Sequence, residues 1–199
     1  MRNLSALSPY SIHPPPSPAD SHHSQQPLFI GWQLPPGDFV KLNFDGTKSA
    51  AGAAAGFVLR NWRGSFITAG TRFLECAPIL VAEVTALRDG LSTALQAGYR
   101  KIEVEGDNPI VIQAIRKKIH PPWQIQPVIE DIWNMISGCE QIHFSHIYRE
   151  GNMAADWMAR YGCLIKTLSL SVFSCSPSRD FLHILVDDNL GRTLVRRAV

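Results

Sequence analysis

The sequence has few cysteines, and none of them stands at the spacing of metal ligands. Its four cysteines form no CxxC pair and no zinc-binding pattern, so nothing indicates a zinc module. Cys76, Cys139 and Cys163 lie next to apolar segments. We expect these three to be small buried hydrophobic residues in a reducing compartment.

Signals for a membrane or for secretion are also missing. No apolar run approaches the length of a membrane span, and the N-terminus lacks the apolar core of a secretory signal. We therefore expect an intracellular protein of the nucleus or cytoplasm that has no membrane partner. The serine-rich, acid-poor N-terminus leaves organellar targeting open, although the prolines of "HPPPSP" disfavour the amphipathic helix which that targeting uses.

Charge is scarce as well. Charged residues make up 18% of the chain, and the formal net charge is only +2. A tight non-specific nucleic-acid binder is expected to have a strongly basic surface. Any surface for an anionic polymer must therefore be formed locally and not by the chain as a whole.

Composition divides the chain into three segments. Residues 1–30 are rich in Pro, Ser, His and Gln, and they lack the apolar content that would offset the entropy of ordering, so we expect disorder. Residues 31–165 are predicted to form one domain, and residues 166–199 to form a C-terminal extension. Within that extension "SLSVFS" alternates like a strand.

Periodicity in the domain predicts an α/β fold. Alternation indicates strands in "FVKLNFDG", "AAGAAAGFVLRN" and "GSFITAGTRFL", and glycine-containing turns join them as an antiparallel meander. The complete order is β-β-β-α-β-α-α-β-α. Because a strand that follows a helical crossover lies parallel to its neighbour, we predict a mixed five-stranded sheet, three strands antiparallel and then two parallel, flanked by helices.

Two aspartates stand where predicted strands end. Asp45 follows "KLNF" and Asp107 follows "EVEG", and in open α/β sheets chemistry gathers beyond the carboxyl ends of parallel strands. The two side chains would meet if the strands are neighbours. Taken singly, each has a plainer interpretation, because Asp-Gly is a strong turn signal and Asp107 suits a turn or cap before a helix.

Two further acids lie on predicted helices. Glu83 is four residues before Leu87, on or beside the apolar stripe of the first long helix. A carboxylate on that side is costly unless it is paired or metal-bound, but an exposed first-turn glutamate also fits. Asp156 flanks the stripe of the last helix, and alone it suggests a surface acid.

The four acids together carry a resemblance that none carries alone. The stretches "KLNFDG", "AEVTALRDGL", "VEGDN" and "REGNMAADWMA" resemble the ribonuclease H family, type 1, over residues 39 to 162. More narrowly, they resemble the ribonuclease H domain of plant non-LTR retrotransposon reverse transcriptases. The resemblance implies that Asp45, Glu83, Asp107 and Asp156 are the catalytic, metal-binding set.

Clustered carboxylates need protons or cations. At about 4 Å and an effective dielectric near 20, each pair repels by about 4 kcal/mol, so oxygen ligands of this kind suit Mg²⁺, with Mn²⁺ as a substitute. The resemblance implies endonucleolytic cleavage of the RNA strand of RNA–DNA hybrids with two such ions. We expect Asp45 and Asp107 to contact both ions, Glu83 one and Asp156 the other.

Candidate substrate contacts are less specific. The backbone near Gly46 and the side chain of Asn108 are candidates for the hybrid, and we expect a monomer to bind it. Lys117, Lys118 and Trp123 could hold the DNA strand through charge and stacking. A charged helix end followed by a proline turn explains the same segment equally well.

One departure from the family pattern bears on activity. Many members carry a histidine on a loop before the last aspartate, whereas no histidine lies between Tyr148 and Asp156 here. His146 is predicted to be a structural histidine within a strand. Because the loop histidine is missing, we expect slow turnover. Two alternatives stay open: a catalytically weak or inactive nucleic-acid-binding module, and a 3′–5′ exonuclease or transposase-like nuclease on the same fold.

Overall fold

A mixed β-sheet forms the centre of the structure, a computed structural model that describes residues 28–196. The strands in this part of the chain are β1 Leu28–Ile30, β2 Val40–Ser49, β3 Gly52–Arg60, β4 Phe66–Phe73, β5 Lys101–Gly106, β6 Gln141–His146, β7 Ser171–Phe173 and β8 Leu194–Arg196. The main sheet has the order β6-β5-β2-β3-β4-β7, and β1 pairs with β8 separately.

The pairing confirms the predicted α/β class. Strands β2, β3 and β4 are antiparallel neighbours, while β5 lies parallel to β2, and β6 lies parallel to β5. The main sheet has six strands where five were predicted, because β7 pairs with the edge strand β4 and places Val172 opposite Gly70. Alternation in "SLSVFS" indicated the strand, but its partner depends on how the C-terminal segment folds back.

Five helices in the described residues cover the sheet. They are α1 Ile79–Gln96, α2 Pro109–Ile115, α3 Gln126–Ile136, α4 Met153–Ile165 and α5 Arg179–Asn189. Helix α1 begins after Pro78, and Gly98 follows its end with φ +89°, a conformation that favours glycine. Of the helices in residues 28–196, none has the length and apolar content that a membrane span requires.

Both faces of the sheet are packed. Val40, Leu42 and Phe44 of β2 join a core that includes residues of α1, α2 and α3. On the other face, a second cluster combines strand residues with residues of α4 and α5: Val58, Ala69, Ala154, Met158, Phe181 and Leu185. The C-terminal segment therefore contributes directly to the packing of the sheet.

The predicted turn at Asp45–Gly46 is wrong. Strand β2 continues through both residues to Ser49, and the hairpin turn lies at residues 50–51. Gly46 is needed for a different reason, because a Cβ there would lie 2.4 Å from the backbone nitrogen of Glu83. The glycine lets α1 approach β2 closely.

The cysteine prediction is also wrong. Cys76 is exposed, and Cys139 and Cys163 are only half-buried. Cys76 stands just before α1 and stays outside the core, whereas Cys139, in the turn after α3, packs against the core without being fully buried. Most of the segment predicted to be disordered, residues 1–27, lies outside the described residues, and the limits of the three predicted segments stay predictions.

Candidate active site

Three carboxylates converge at one end of the two central parallel strands. Asp45, Glu83 and Asp107 each offer an oxygen atom, and these atoms lie within 4.8 Å of one another. Asp45 and Asp107 directly follow Phe44 and Gly106, where the parallel pairing between β2 and β5 ends. The neighbouring parallel strands therefore bring together acids that are far apart in the chain.

Glycines on the strands allow two helices that carry acids, α1 with Glu83 and α4 with Asp156, to pack close to the sheet. At Gly46 the backbone of α1 comes close enough to bring Glu83 beside Asp45, and the Gly46 N–H donates to Asp45 Oδ1 at 2.9 Å. A Cβ at Gly56 of β3 would lie 2.1 Å from the backbone nitrogen of Ala159 on α4. Helix α4, which carries Asp156, thus packs directly on the sheet.

Asp156 shares the pocket of these three acids but is held by arginines. Its Oδ1 accepts from Arg149 Nη2 at 2.8 Å, and its Oδ2 pairs with Arg160 Nη2 at 3.0 Å. Glu83 and Asp156 are both buried, so the interpretation of either one as an exposed acid is wrong. The pocket has a volume of about 310 Å³ and is lined by Asp45, Gly46, Thr47, Lys48, Ile79, Glu83, Asp107, Arg149 and Asp156.

Burial and mutual repulsion shift the acids toward protonation. Burial, together with the negative charges of Glu83, Asp107 and Asp156, raises the pKa of Asp45 to about 9. Burial and Asp107 raise the pKa of Glu83 to about 8. Burial also raises the pKa of Asp107. Near neutral pH the pocket therefore holds protons that a divalent cation would displace.

The donor set fits a hard divalent cation. Glu83 Oε2 is buried and has no hydrogen-bond partner among the described residues, although a buried polar atom is normally partnered. Carboxylate oxygens are the ligands that Mg²⁺ and Mn²⁺ prefer. Asp45, Glu83 and Asp107 could therefore hold such an ion, as the sequence predicted in outline.

The polar residues beside the acids have structural partners. Asn108 caps α2, since its side-chain oxygen accepts from the backbone nitrogens of Ile110 and Val111. It also hydrogen-bonds to Glu83, which lowers the pKa of that acid. His146 ends β6, is exposed, and places Nε2 3.2 Å from the carbonyl oxygen of Asp107. His146 thus lies in the predicted strand, but at its end, where it contacts the backbone of one of the acids.

The predicted basic contacts lie outside the acidic pocket. Lys117 and Lys118 line a separate hollow of about 450 Å³ with Trp133. The Nζ of Lys117 lies 4.8 Å from the centre of the Trp133 ring, and Trp123 is 81% exposed. Lysines and an exposed aromatic ring suit a nucleic-acid strand better than a metal site.

Sequence reasoning missed Arg149. It lies in the short 3₁₀ turn Arg149–Gly151 between β6 and α4, and it lines the acidic pocket. The available signal was the brevity of the "REGN" link, which leaves this arginine close to the start of the last helix. An arginine seven residues before Asp156 gave no indication by itself that the two would pair.

Comparison with known proteins identifies the family. A family model described as reverse transcriptase-like matches residues 43–162, more than half of the chain. The chain belongs to the reverse transcriptase-like family. An Arabidopsis thaliana protein named "Putative ribonuclease H protein" is 27% identical over 171 residues, covering 84% of this chain and 27% of that protein. The chain thus spans about a quarter of the length of this curated relative.

Solved structures share the fold of this reverse transcriptase-like chain. Ribonuclease H1 of the halophilic archaeon Halobacterium salinarum is 24% identical, with a TM-score of 0.60 over 65% of this chain and 99% of that one. LC11 ribonuclease H1, solved in complex with an RNA/DNA hybrid, is 19% identical, with a TM-score of 0.55 over 65% of this chain and 96% of that one. These structures confirm the expected ribonuclease H-like fold, and the family model confirms the expected reverse transcriptase-like kind.

Proposed function

We propose that this protein is a metal-dependent endonuclease that cleaves the RNA strand of RNA–DNA hybrids. The observation that carries the proposal is the convergence of buried Asp45 and Glu83 with half-buried Asp107 on a ribonuclease H fold. Such a cluster is destabilising without protons or cations, so its presence is best explained by a requirement for a bound metal. The name of the Arabidopsis relative agrees with this activity.

The chain's own residues would hold two divalent ions, Mg²⁺ or Mn²⁺. Asp45 and Asp107 would contact both ions, Glu83 would contact one and Asp156 the other. When bound, the ions would supply the positive charge that activates a water molecule and stabilises the leaving 3′ oxygen of the RNA. Arg149, which already binds Asp156, is placed to meet a substrate phosphate at the same pocket.

A hybrid would contact both the acidic pocket and the separate hollow that Lys117 and Lys118 line. Proteins distinguish RNA from DNA by the 2′-hydroxyls in the shallow minor groove, and Asn108 is the nearest predicted amide beside the acids. The DNA strand would lie toward Lys117, Lys118 and Trp123, where charge and an exposed ring are available. The protein of known structure that was solved with a hybrid supports a substrate of this shape.

A labelled hybrid with both ends blocked tests the proposal. Wild-type protein should release internal RNA fragments in Mg²⁺ or Mn²⁺ and none in EDTA. Asp107→Asn should reduce cleavage by about 10³-fold or more, because it removes charge at the reacting centre. Asp131→Asn, which changes an exposed acid on α3, is the matched control and should retain full activity.

Three outcomes decide between the candidate functions. Equal inertness of wild type and Asp107→Asn, with hybrid binding retained by both, would show a binding module without catalysis. Cleavage that requires a free 3′ end would show an exonuclease. Internal cleavage of the RNA strand that is lost in Asp107→Asn supports the proposal.

A further inference from the structure

A line of buried polar side chains connects the C-terminal helix to the strand that precedes Asp107. Asp188 Oδ2 of α5 accepts from Arg60 Nη1 at 2.6 Å. Arg60 Nη2 donates to Asn43 Oδ1 at 2.8 Å, and Asn43 Nδ2 donates to Glu105 Oε2 at 3.2 Å. All four side chains are buried, and we call Asp188, Arg60, Asn43 and Glu105 the buried relay.

The last two members of the buried relay lie next to the acidic pocket. Asn43 and Glu105 are opposite one another in the parallel β2–β5 register. Asp45 stands two residues further along β2, and Asp107 stands two residues after Glu105, just past the end of β5. Residues two apart on a strand point to the same face. The Asn43–Glu105 hydrogen bond therefore links the two strands immediately before the acids that they present.

Neighbouring groups leave the buried relay little freedom to rearrange. Asn43 Oδ1 also accepts from Trp32 Nε1 at 2.9 Å, and the Trp32 ring stacks on the Arg60 guanidinium with its centre 3.7 Å from Cζ. Glu105 Oε1 accepts from Lys41 Nζ at 2.7 Å. Each charged member thus has a buried partner, and the loss of one partner would leave an uncompensated charge.

We propose that the buried relay sets the separation of the Asp45 and Asp107 carboxylates, which makes α5 a positioning element of the acidic site. Both Asp188 and Trp32 lie outside residues 43–162, the part that matches the family. The flanking segments would therefore complete a site whose acids all lie within the family match. This inference rests on the proposed function, because it concerns the same metal-binding acids.

The test compares two neighbouring aspartates of α5 in the full chain. Asp188→Asn keeps an oxygen for Arg60 but removes the charge that balances it. Asp187→Asn is the matched control, because Asp187 is half-exposed and pairs with Arg192 at the surface. Backbone amide shifts of Gly46 and Asn108 are recorded without metal, and Mn²⁺ affinity is measured by calorimetry at a temperature where each variant is fully folded.

The expected result separates positioning from simple stability. Asp188→Asn should move both amide signals and weaken Mn²⁺ binding about 10-fold, the size of effect seen when the outer partners of metal ligands are changed. Asp187→Asn should change neither. Unchanged amide signals together with Mn²⁺ affinity within twofold of wild type would overturn the proposal, even if Asp188→Asn were less stable.

Two further results are covered by the design: a variant that does not fold, and a wild type that binds no Mn²⁺. If Asp188→Asn does not fold, Glu105→Gln takes its place, since a glutamine has one oxygen for the two donors Lys41 and Asn43. The same amide shifts and loss of affinity are then expected, and their absence overturns the proposal. If wild type itself binds no Mn²⁺, the proposed function fails, and the amide shifts alone decide whether the buried relay positions the acids.

Discussion

Asp45 is the residue at which stability and the proposed chemistry conflict most. It lies buried among other carboxylates, with one backbone N–H, that of Gly46, as its recorded donor. Its pKa of about 9 indicates that the folded metal-free protein keeps it protonated at neutral pH. A group that we propose as a metal ligand thus weakens the fold when no metal is bound.

Asp45→Asn should therefore stabilise the metal-free protein while abolishing Mn²⁺ binding. The amide has the same shape and can still accept from Gly46, but it carries no charge. Near pH 8, where Glu83 titrates, we expect a gain of about 1 kcal/mol, or about 2–4 °C in melting temperature for a domain of this size. Asp131→Asn should change neither property. A melting temperature equal to or below wild type would contradict the repulsion inferred at this cluster.

The dependence of stability on pH has a definite sign. The folded-state pKa values of Asp45 and Glu83, about 9 and about 8, lie above their ordinary values of 3.8 and 4.5. Between these limits the folded state binds more protons than the unfolded state, so the contribution of both groups falls as pH rises from about 4 to about 9.

Urea denaturation in EDTA at several pH values measures this contribution. We expect the free energy of unfolding of wild type to fall relative to that of Asp45→Asn as pH rises, and Mn²⁺ to reverse the trend. Binding should also release protons, so the apparent Mn²⁺ affinity should increase with pH. A difference between the two proteins that is constant with pH would show that Asp45 has no raised pKa.

Arg149 is expected to weaken metal binding and to strengthen binding of the substrate. Its ion pair with Asp156 is partly exposed, and such pairs contribute about 0.2–1 kcal/mol, so Arg149→Ala should strengthen Mn²⁺ binding about 1.4- to 5-fold. The same change should weaken binding of an RNA–DNA hybrid, because a cation that lines the pocket is lost.

Arg160→Ala is the matched control for Arg149. Arg160 pairs with the same carboxylate but is not among the described residues that line the pocket. It should strengthen Mn²⁺ binding to a similar extent and leave hybrid affinity unchanged. Calorimetry with Mn²⁺ and fluorescence anisotropy with a labelled hybrid measure the two effects, and equal losses of hybrid affinity in both variants would exclude a specific role for Arg149.

At the scale of elements, helix α2 links folding to the acidic site through its N-cap residue. Asn108 accepts from two backbone nitrogens of the first turn, and it also hydrogen-bonds to Glu83. The helix has seven residues and is too short to be stable alone. Its cap and its packing therefore decide whether it forms.

Substitutions at Asn108 should separate the two roles. Asn108→Ala should reduce the free energy of unfolding by about 1 kcal/mol, because the cap is lost. Asn108→Ser keeps a capping oxygen and should cost only a few tenths of that, yet it removes the amide beside Glu83. Both should raise the pKa of Glu83 further. Equal losses of stability in urea denaturation would mean that the cap contributes nothing.

At the scale of the whole molecule, the C-terminal segment completes the fold. Phe181 and Leu185 of α5 belong to the second core, and Asp188 balances the buried Arg60. Strand β7 covers the edge of β4. Removing this segment would expose apolar surface, an unpaired strand edge and a buried charge at the same time.

Deletion of residues 166–199 should therefore severely destabilise the protein. Truncating a buried Phe alone costs about 3–5 kcal/mol, which is a large part of the about 5–15 kcal/mol that a domain has. We expect no cooperative thermal transition, or a greatly lowered one, by circular dichroism. Deletion of residues 1–27, predicted to be disordered, is the control and should leave the transition unchanged. A truncated chain with a wild-type transition would support a domain that ends at residue 165.

Local patterns were informative where a single segment carries its own signal. Alternation predicted β2 to β6, and Pro and Gly marked the ends of α1. Asparagine is a typical N-cap residue, and Asn152 does occupy that position before α4, but its side chain donates to the Phe44 carbonyl instead of capping the helix. The position of a residue in its element was predictable, whereas its partner in another element was not.

The acids of the candidate active site show the same difference between what was predictable and what was not. Asp45 and Asp107 were predictable as neighbours, because parallel strands end at one edge of a sheet and both acids follow such ends. Glu83 and Asp156 joined them only through the resemblance to a family, since nothing local shows which face of a helix meets the sheet.

By itself, the sequence determined the element order from β2 to α4, the α/β class and the types of residue available for chemistry. Only the tertiary structure decided that Arg149 meets Asp156, that β7 completes the sheet and that Asp188 reaches Arg60. The physical reason is distance along the chain. Periodicity records the two sides of one element, but pairing between distant elements depends on how all of them pack together.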